Sequence, residues 1–242
     1  MLNVYCAEIK KIRHDKMAIT GFVILILLPI AMIIKGFTVD KCCISAYEWL
    51  MQLNLVITIV LPVVSGFVIT RLIQSEYQNG TIKNVLTVPV KRSSFVTGKA
   101  AVWFTWYIFS VIFVIIFSLI GLVTLYPYAF LVFAKIFTLN MLKTAIFLFA
   151  AYMPVMWVAF LQKGTFYPAI IVTMLFAVLQ LAGTQIGTEL LRLASCIPWT
   201  AVALLGIMGT SNAYYGVCVI SVFACFIVGL EISVFNFSRQ EF

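Results

Sequence analysis

Charge is scarce in this sequence. Only 10% of its 242 residues are Asp, Glu, Lys or Arg, while 64% are hydrophobic. A soluble domain of this length needs a charged, mixed exterior, so lipid must solvate the outside of the fold. Histidine occurs once, at His14, and in a basic N-terminal segment it reads as a solvated side chain rather than a catalytic base. The GxxxxGK[ST] phosphate loop is also missing, because Gly98-Lys99 has neither the upstream glycine nor the following Ser or Thr. No two carboxylates sit at helical spacing within an apolar run, as a proton relay often requires. The six cysteines form no CxxC pair. Adjacent Cys42 and Cys43 have no histidine or second cysteine pair to complete a metal site, and Cys218 and Cys225 behave as small hydrophobes in an apolar run. The first apolar run is followed by neither a small-x-small cleavage site nor a lipoprotein cysteine motif, so it reads as a span rather than a signal peptide.

Long apolar runs dominate what is present. At roughly 20 residues per helical crossing, the chain has room for six spans, short loops and no soluble domain. The expected fold is therefore all-α and polytopic, a single membrane domain over residues 1–242 with six transmembrane helices. Residues 1–16 carry Leu2, Tyr5, Ile9 and Ile12 at helical spacing, with Glu8, Lys10, Lys11 and Asp15 mostly on the other side. That pattern predicts an amphipathic helix lying in the membrane interface. The spans are expected at Met17–Ile34, Tyr47–Thr70, from about Gly98 to Leu125, Met141–Leu161, Phe166–Gly183 and Ala213–Phe235. Residues 184–212 are interrupted by Glu189, Arg192, Pro198, Gly206 and Gly209, and are expected to form a broken, re-entrant extracellular segment. Lipid tolerates such backbone only where protein covers it.

Six spans put both termini on one side, and basic residues say which. Lys10, Lys11, Arg13, Lys16, Arg71, Lys83, Lys91, Arg92, Lys99, Lys163 and Arg239 fall on the side of the termini. Lys35, Lys41, Lys135, Lys143 and Arg192 fall on the other. The positive-inside rule then places both termini and the 71–98 loop in the cytoplasm. The net charge of +8 is mostly this asymmetry, and with no domain outside the membrane to display a basic face, nucleic acid is excluded as a partner.

Few residues inside or beside the runs carry chemistry. Glu48 and Glu231 lie near span ends, where an acid either reaches the headgroups or pairs with a substrate or gating partner. Glu189 and Arg192 are three apart and can form an ion pair on one helix face. Both pairs are candidate substrate or gating residues. Pro29, Pro62, Pro154 and Pro168 fall in or beside the runs and can kink them. Gly183 and Gly187 have the GxxxG spacing that permits close helix approach.

The polar stretch from Arg71 to Thr97 is the most informative piece. Gly80 lets the chain turn, and Ile82, Val85 and Leu86 then share one helical face. Pro89 ends that short helix, and Ser93 or Ser94 can cap the helix that follows. The result is a rigid amphipathic knob between two long membrane helices, suited to receiving force from a soluble partner. The string Glu76-x-x-x-Gly80-Thr81-Ile82-Lys83-Asn84-Val85-Leu86-Thr87-Val88-Pro89-Val90-Lys91-Arg92-Ser93-Ser94-Phe95, followed by Gly98-Lys99, resembles the cytoplasmic loop of the type-2 ATP-binding-cassette exporter permeases. The resemblance is sharp over about 30 residues and elsewhere is one of layout. In size and loop length the chain looks most like the small permeases of bacitracin and lantibiotic self-protection.

That resemblance implies an exporter permease with no enzymatic activity of its own. It would associate with cytosolic ATP-binding-cassette ATPase subunits, which bind ATP and magnesium, and with a second permease copy or paralogue, in the cell membrane of a bacterium. Carried onto this sequence, Thr81 to Leu86 would be the coupling helix in an ATPase groove, and Glu76 would hold it at the elbow where the second span ends. The alternatives are an ion-gradient-driven carrier, which should show inverted repeats with paired broken helices, and a membrane-embedded lipid-modifying enzyme, which needs a catalytic constellation near the membrane surface. Neither feature is visible in the sequence.

Overall fold

The computed structural model of the chain describes residues 2–39, 44–80, 92–162, 164–207 and 212–239. Among these residues all regular structure is helical. We number the helices α1 (Leu2–His14), α2 (Lys16–Thr38), α3 (Ala46–Gln78), α4 (Arg92–Leu125), α5 (Phe130–Ala151), α6 (Pro154–Leu161), α7 (Tyr167–Gly183), α8 (Leu191–Cys196), α9 (Pro198–Ile207) and α10 (Tyr215–Arg239). Single 3-10 turns at Pro127–Ala129 and Thr188–Leu190 lead into α5 and α8.

The sequence sets several of these boundaries. Asp15 caps α2 by accepting from the Met17 amide at 3.2 Å, so α1 and α2 are separate helices joined by one residue. Ser45 and Glu48 close a reciprocal capping box at the start of α3. The α5–α6 break falls before Pro154, which has no N–H to leave unpaired. α10 exploits that break: a Cβ on Gly229 would stand 2.9 Å from the Pro154 nitrogen, so only glycine lets the backbones approach this closely.

Among the described residues five helical stretches are long and apolar enough to cross a membrane: Lys16–Thr38, Ala46–Gln78, Arg92–Leu125, Pro127–Leu161 and Tyr215–Arg239. The expected six is therefore corrected to five. The missing span is the run at 166–183, whose helix α7 has only 17 residues, or about 25 Å at 1.5 Å per residue. Polar residues bound it on both sides. It starts near the end of α3, where the Gly164 amide donates to Gln74 Oε1 at 2.9 Å, and stops beside Thr58, whose carbonyl accepts from Gln180 Nε2 at 3.0 Å. From Thr58, α3 continues back to Ala46 for roughly another 18 Å that α7 does not follow. Hydropathy located the apolar run but carried no information on this shortfall. The short helices α8 and α9 pack in that region, where Trp199 stacks on Phe176 at 3.8 Å.

The membrane helices also outrun their apolar runs. The second run ends at about Thr70, yet α3 continues to Gln78, and α4 begins at Arg92 rather than at Gly98. Most of the polar 71–98 stretch with described coordinates is thus helical extension. The bundle core is tied by buried polar tips that find backbone carbonyls: Trp49 Nε1 donates to Met32 O, Trp103 Nε1 to Ser65 O and Tyr107 OH to Ala145 O, at 3.2, 3.1 and 2.8 Å. In the most apolar window of α2 and of α10 only 22% is covered by protein, against 67% for residues 127–161. Those two helices therefore face outward.

Candidate functional site

Two polar features stand inside this apolar bundle. The first is a cluster of four charges where α1, α3 and α4 meet. Lys99 is 1% exposed, Glu76 3% and Glu8 5%. Lys99 Nζ lies 3.0 Å from Glu8 Oε2, 3.4 Å from Glu76 Oε1 and 3.0 Å from the Leu72 carbonyl. Lys11 reaches the same two acids from the more open side, 2.5 Å from Glu76 and 3.5 Å from Glu8. Burial by itself lowers the Lys11 pKa, but the hydrogen bond to Glu76 and the charges of both glutamates outweigh it, and the pKa is raised. Two cations and two anions leave the cluster neutral, which is the condition under which buried charge is tolerable.

This cluster anchors the end of α3. On its other side, Gln74 Nε2 donates to Ala159 O at 2.5 Å, Tyr77 OH to Phe160 O at 3.3 Å and Gln78 Nε2 to Gly164 O at 3.1 Å. The start of α4 is held similarly. Arg92 donates to Ser238 O at 2.8 Å, and Phe237 contacts both Phe95 and Phe160 with ring centroids 5.2 and 5.1 Å apart. Both flanks of the segment between α3 and α4 are thus fastened to α1, α6 and α10. The first helix and the end of the last are both tied to α4 at this end of the bundle, through Lys99 and Arg92. Gly80 begins the segment at φ +65°, the left-handed conformation that glycine adopts without strain. The expected coupling residues Thr81, Ile82, Val85 and Leu86 lie outside the described residues, as do Cys42 and Cys43.

The second feature is a cleft of about 330 Å³ between α3, α5, α7 and α9, on the far side of the bundle's middle from the charge cluster. Gln52, Asn54, Thr58, Thr144, Gln180 and Gln185 supply its polar lining. Gln180 is fixed by Tyr152, whose OH donates to its Oε1 at 3.4 Å, and by its own bond to Thr58 O. Gln52 accepts from Lys35 at 2.8 Å. Asn54 Oδ1 is buried with no partner among the described residues, and a buried acceptor left unpaired costs about 1–3 kcal/mol.

The remaining sequence candidates are scattered. Glu48 is spent on the capping box of α3. Glu189 and Arg192 are both exposed, and no ion pair joins them among the described residues. Glu231 is exposed on α10. His14 is exposed, with Nδ1 3.0 Å from Lys10 O. No group of His, Cys, Asp or Glu that could hold a metal occurs among the described residues. Sequence reasoning placed Glu8 on the polar side of α1, whereas it points into the bundle. A lone acid three residues before a lysine on an otherwise basic helix was the available signal, but its distant partner Lys99 was not legible.

Among the described residues, an all-helical bundle with apolar outer helices, a buried charge cluster at one end and a polar cleft toward the other is the architecture of a polytopic membrane protein. The chain belongs to the ABC-2 transporter family: a family model described as ABC-2 family transporter protein matches residues 5–180. No curated protein matches the chain.

Proposed function

We propose that this chain is the membrane-spanning permease subunit of an ATP-binding-cassette exporter. A separate cytosolic ATPase hydrolyses ATP, with magnesium, and drives an amphipathic substrate outward. The observation that carries the reading is the four-charge lock of Glu8, Lys11, Glu76 and Lys99 beside the segment that follows Gly80. A force applied to residues 81–91 meets two helix ends that cannot move independently of α1, α6 and α10. Displacement there is passed to the bundle as rotation of packed helices rather than lost in a loose loop. Glu76 is the pivot of this arrangement, and Ile82, Val85 and Leu86 are the apolar residues that the ATPase grips.

The polar cleft around Asn54 and Gln180 is where substrate is recognised. Its mix of amide groups and apolar wall suits a peptide antibiotic, a drug or a lipid-linked molecule, each of which has both characters. Size and loop length support placing the chain beside the bacitracin and lantibiotic self-protection permeases. α1 and the end of α10 both lie at the charge-lock end, since α7, α8 and α9 return the chain between two full spans without making a crossing of their own, and that end faces the cytoplasm of a bacterial cell. A second copy or a paralogue completes the pathway.

Co-purification tests the reading. Wild-type protein extracted in detergent from its native host should bring down a cytosolic ATPase, and Ile82→Ala or Glu76→Ala should weaken that association. Recovery of folded permease with no ATPase would overturn the proposal in favour of an ion-driven carrier. The Ile82 variant guards against misfolding of the buried-charge variant.

A further inference from the structure

A groove of about 450 Å³ runs between α1, α2 and α4 beside the one-residue joint at Asp15. Its floor is Ala18, Val102 and Trp106, and Ile9, Ile12 and Phe22 form part of its walls. The polar groups along it are few. Thr105 hydroxyl is already bonded to Ala101 O and to Tyr5 OH, both at 2.8 Å, so water in the groove would find almost nothing to hydrogen-bond. Water needs two to four polar partners to occupy a site, and an apolar occupant fits better.

One charged residue lines the groove, Arg13. It is exposed, and no hydrogen bond or ion pair engages it among the described residues. The nearest acid in sequence, Asp15, is committed to the cap of α2. Lys11 is committed to the charge lock. Arg13, Lys10 and Lys16 therefore leave a local excess of positive charge at the mouth of an apolar groove, at the end of a membrane-spanning helix.

We propose that this groove holds one anionic phospholipid, with an acyl chain along Ile12, Phe22 and Trp106 and its phosphate on the Arg13 guanidinium. Guanidinium binds phosphate oxygens in paired hydrogen bonds that ammonium cannot reproduce, and the flanking lysines favour a headgroup with net negative charge. The bound lipid fills the wedge between α1 and α2 and braces α1, which carries two of the four lock residues.

Native mass spectrometry of delipidated full-length protein, titrated with phosphatidylglycerol or phosphatidylcholine, tests the site. One phosphatidylglycerol per chain should be retained in preference to phosphatidylcholine. Arg13→Gln should weaken that binding about ten-fold, the scale of one charged hydrogen-bonded contact. Arg13→Lys should recover part of it. Lys10→Gln removes the same charge from the same helix outside the groove and, with the guanidinium–phosphate contact intact, should weaken binding clearly less than Arg13→Gln does. Ile19→Trp keeps Arg13 but occupies the groove from a side chain that is 49% exposed, and should also lose the lipid. Equal binding of both lipids, equal loss in Arg13→Gln and Lys10→Gln, or full binding by Ile19→Trp would each overturn the proposal.

Discussion

Lys99 and Glu8 stand 91 residues apart in the chain and meet at 3.0 Å in its interior. The contact joins the first helix to a membrane helix through a fully buried ammonium. Such a pair adds little net stability when intact, because desolvation offsets attraction, but breaking it strands the partner charge.

Lys99→Met should accordingly lower stability by about 3–5 kcal/mol, leaving Glu8 and Glu76 buried with only Lys11 between them. Lys11→Met should cost about 1 kcal/mol or less, since its side chain is 55% exposed and water screens it. Thermal unfolding in detergent reads both. Equal shifts for the two variants would show that the cluster is solvated in solution and is not a lock.

Gly80 offers a cleaner test of the same region. Its φ of +65°, with nothing among the described residues within 4 Å of where a Cβ would stand, makes backbone conformation the ground on which glycine is selected. Gly80→Val should cost about 1–2 kcal/mol, the penalty for a left-handed L-residue. Gly80→Asn, which tolerates that region, should be nearly silent. Melting temperature and ATPase co-purification together separate strain from loss of docking: Val should reduce both, Asn neither.

Legibility in the sequence followed the range of each interaction. Apolar runs are local, so the all-helical membrane character and most helix positions could be read directly. Helix ends were read less well, because α3 and α4 extend into polar sequence where Glu76, Arg92 and Lys99 find partners on other helices. The count of spans failed at α7 because its shortfall against α3 is a matter of depth, which hydropathy does not encode. Glu76 was singled out by resemblance alone, while its partner Lys11, and the Glu8 that shares that partner, looked like the solvated face of an amphipathic helix. The amides around Asn54 went unremarked, since each is an isolated polar residue in an apolar run until α3, α7 and α9 bring them together.

The Gly183-x-x-x-Gly187 spacing resolves into one working glycine. A Cβ on Gly183 would lie 2.9 Å from backbone atoms of Thr200, whereas one on Gly187 meets nothing within 4 Å. Gly183→Ala should therefore force α7 and α9 apart and cost about 1–3 kcal/mol. Gly187→Ala should be neutral in the same thermal assay. Equivalent effects would mean that α9 does not seat against α7 as described.

The orientation proposed for the bundle predicts that residue 192 is reached from outside the cell. Arg192→Cys, with the native cysteines replaced because exposed Cys196 lies close by, should react with a membrane-impermeant maleimide on intact cells. Labelling only after permeabilisation would invert the proposed topology.

Asn54 makes the sharpest distinction between a structural and a functional polar group. Its Oδ1 is buried without a partner, so the native fold carries a cost there that Leu would remove. Asn54→Leu should leave the melting temperature unchanged or raise it, by up to roughly 1–3 kcal/mol of stability. If the cleft receives substrate, the same change should lower export, since the amide is then retained for a ligand rather than for the fold. Gln180→Leu serves as the contrast: it severs bonds to both Tyr152 and Thr58 and should lose stability as well as transport. A stability loss in Asn54→Leu would mean that ordered water already satisfies the amide and that the cleft is structural. A gain in stability with loss of export is the signature of a binding site, because the amide then costs the fold and serves transport.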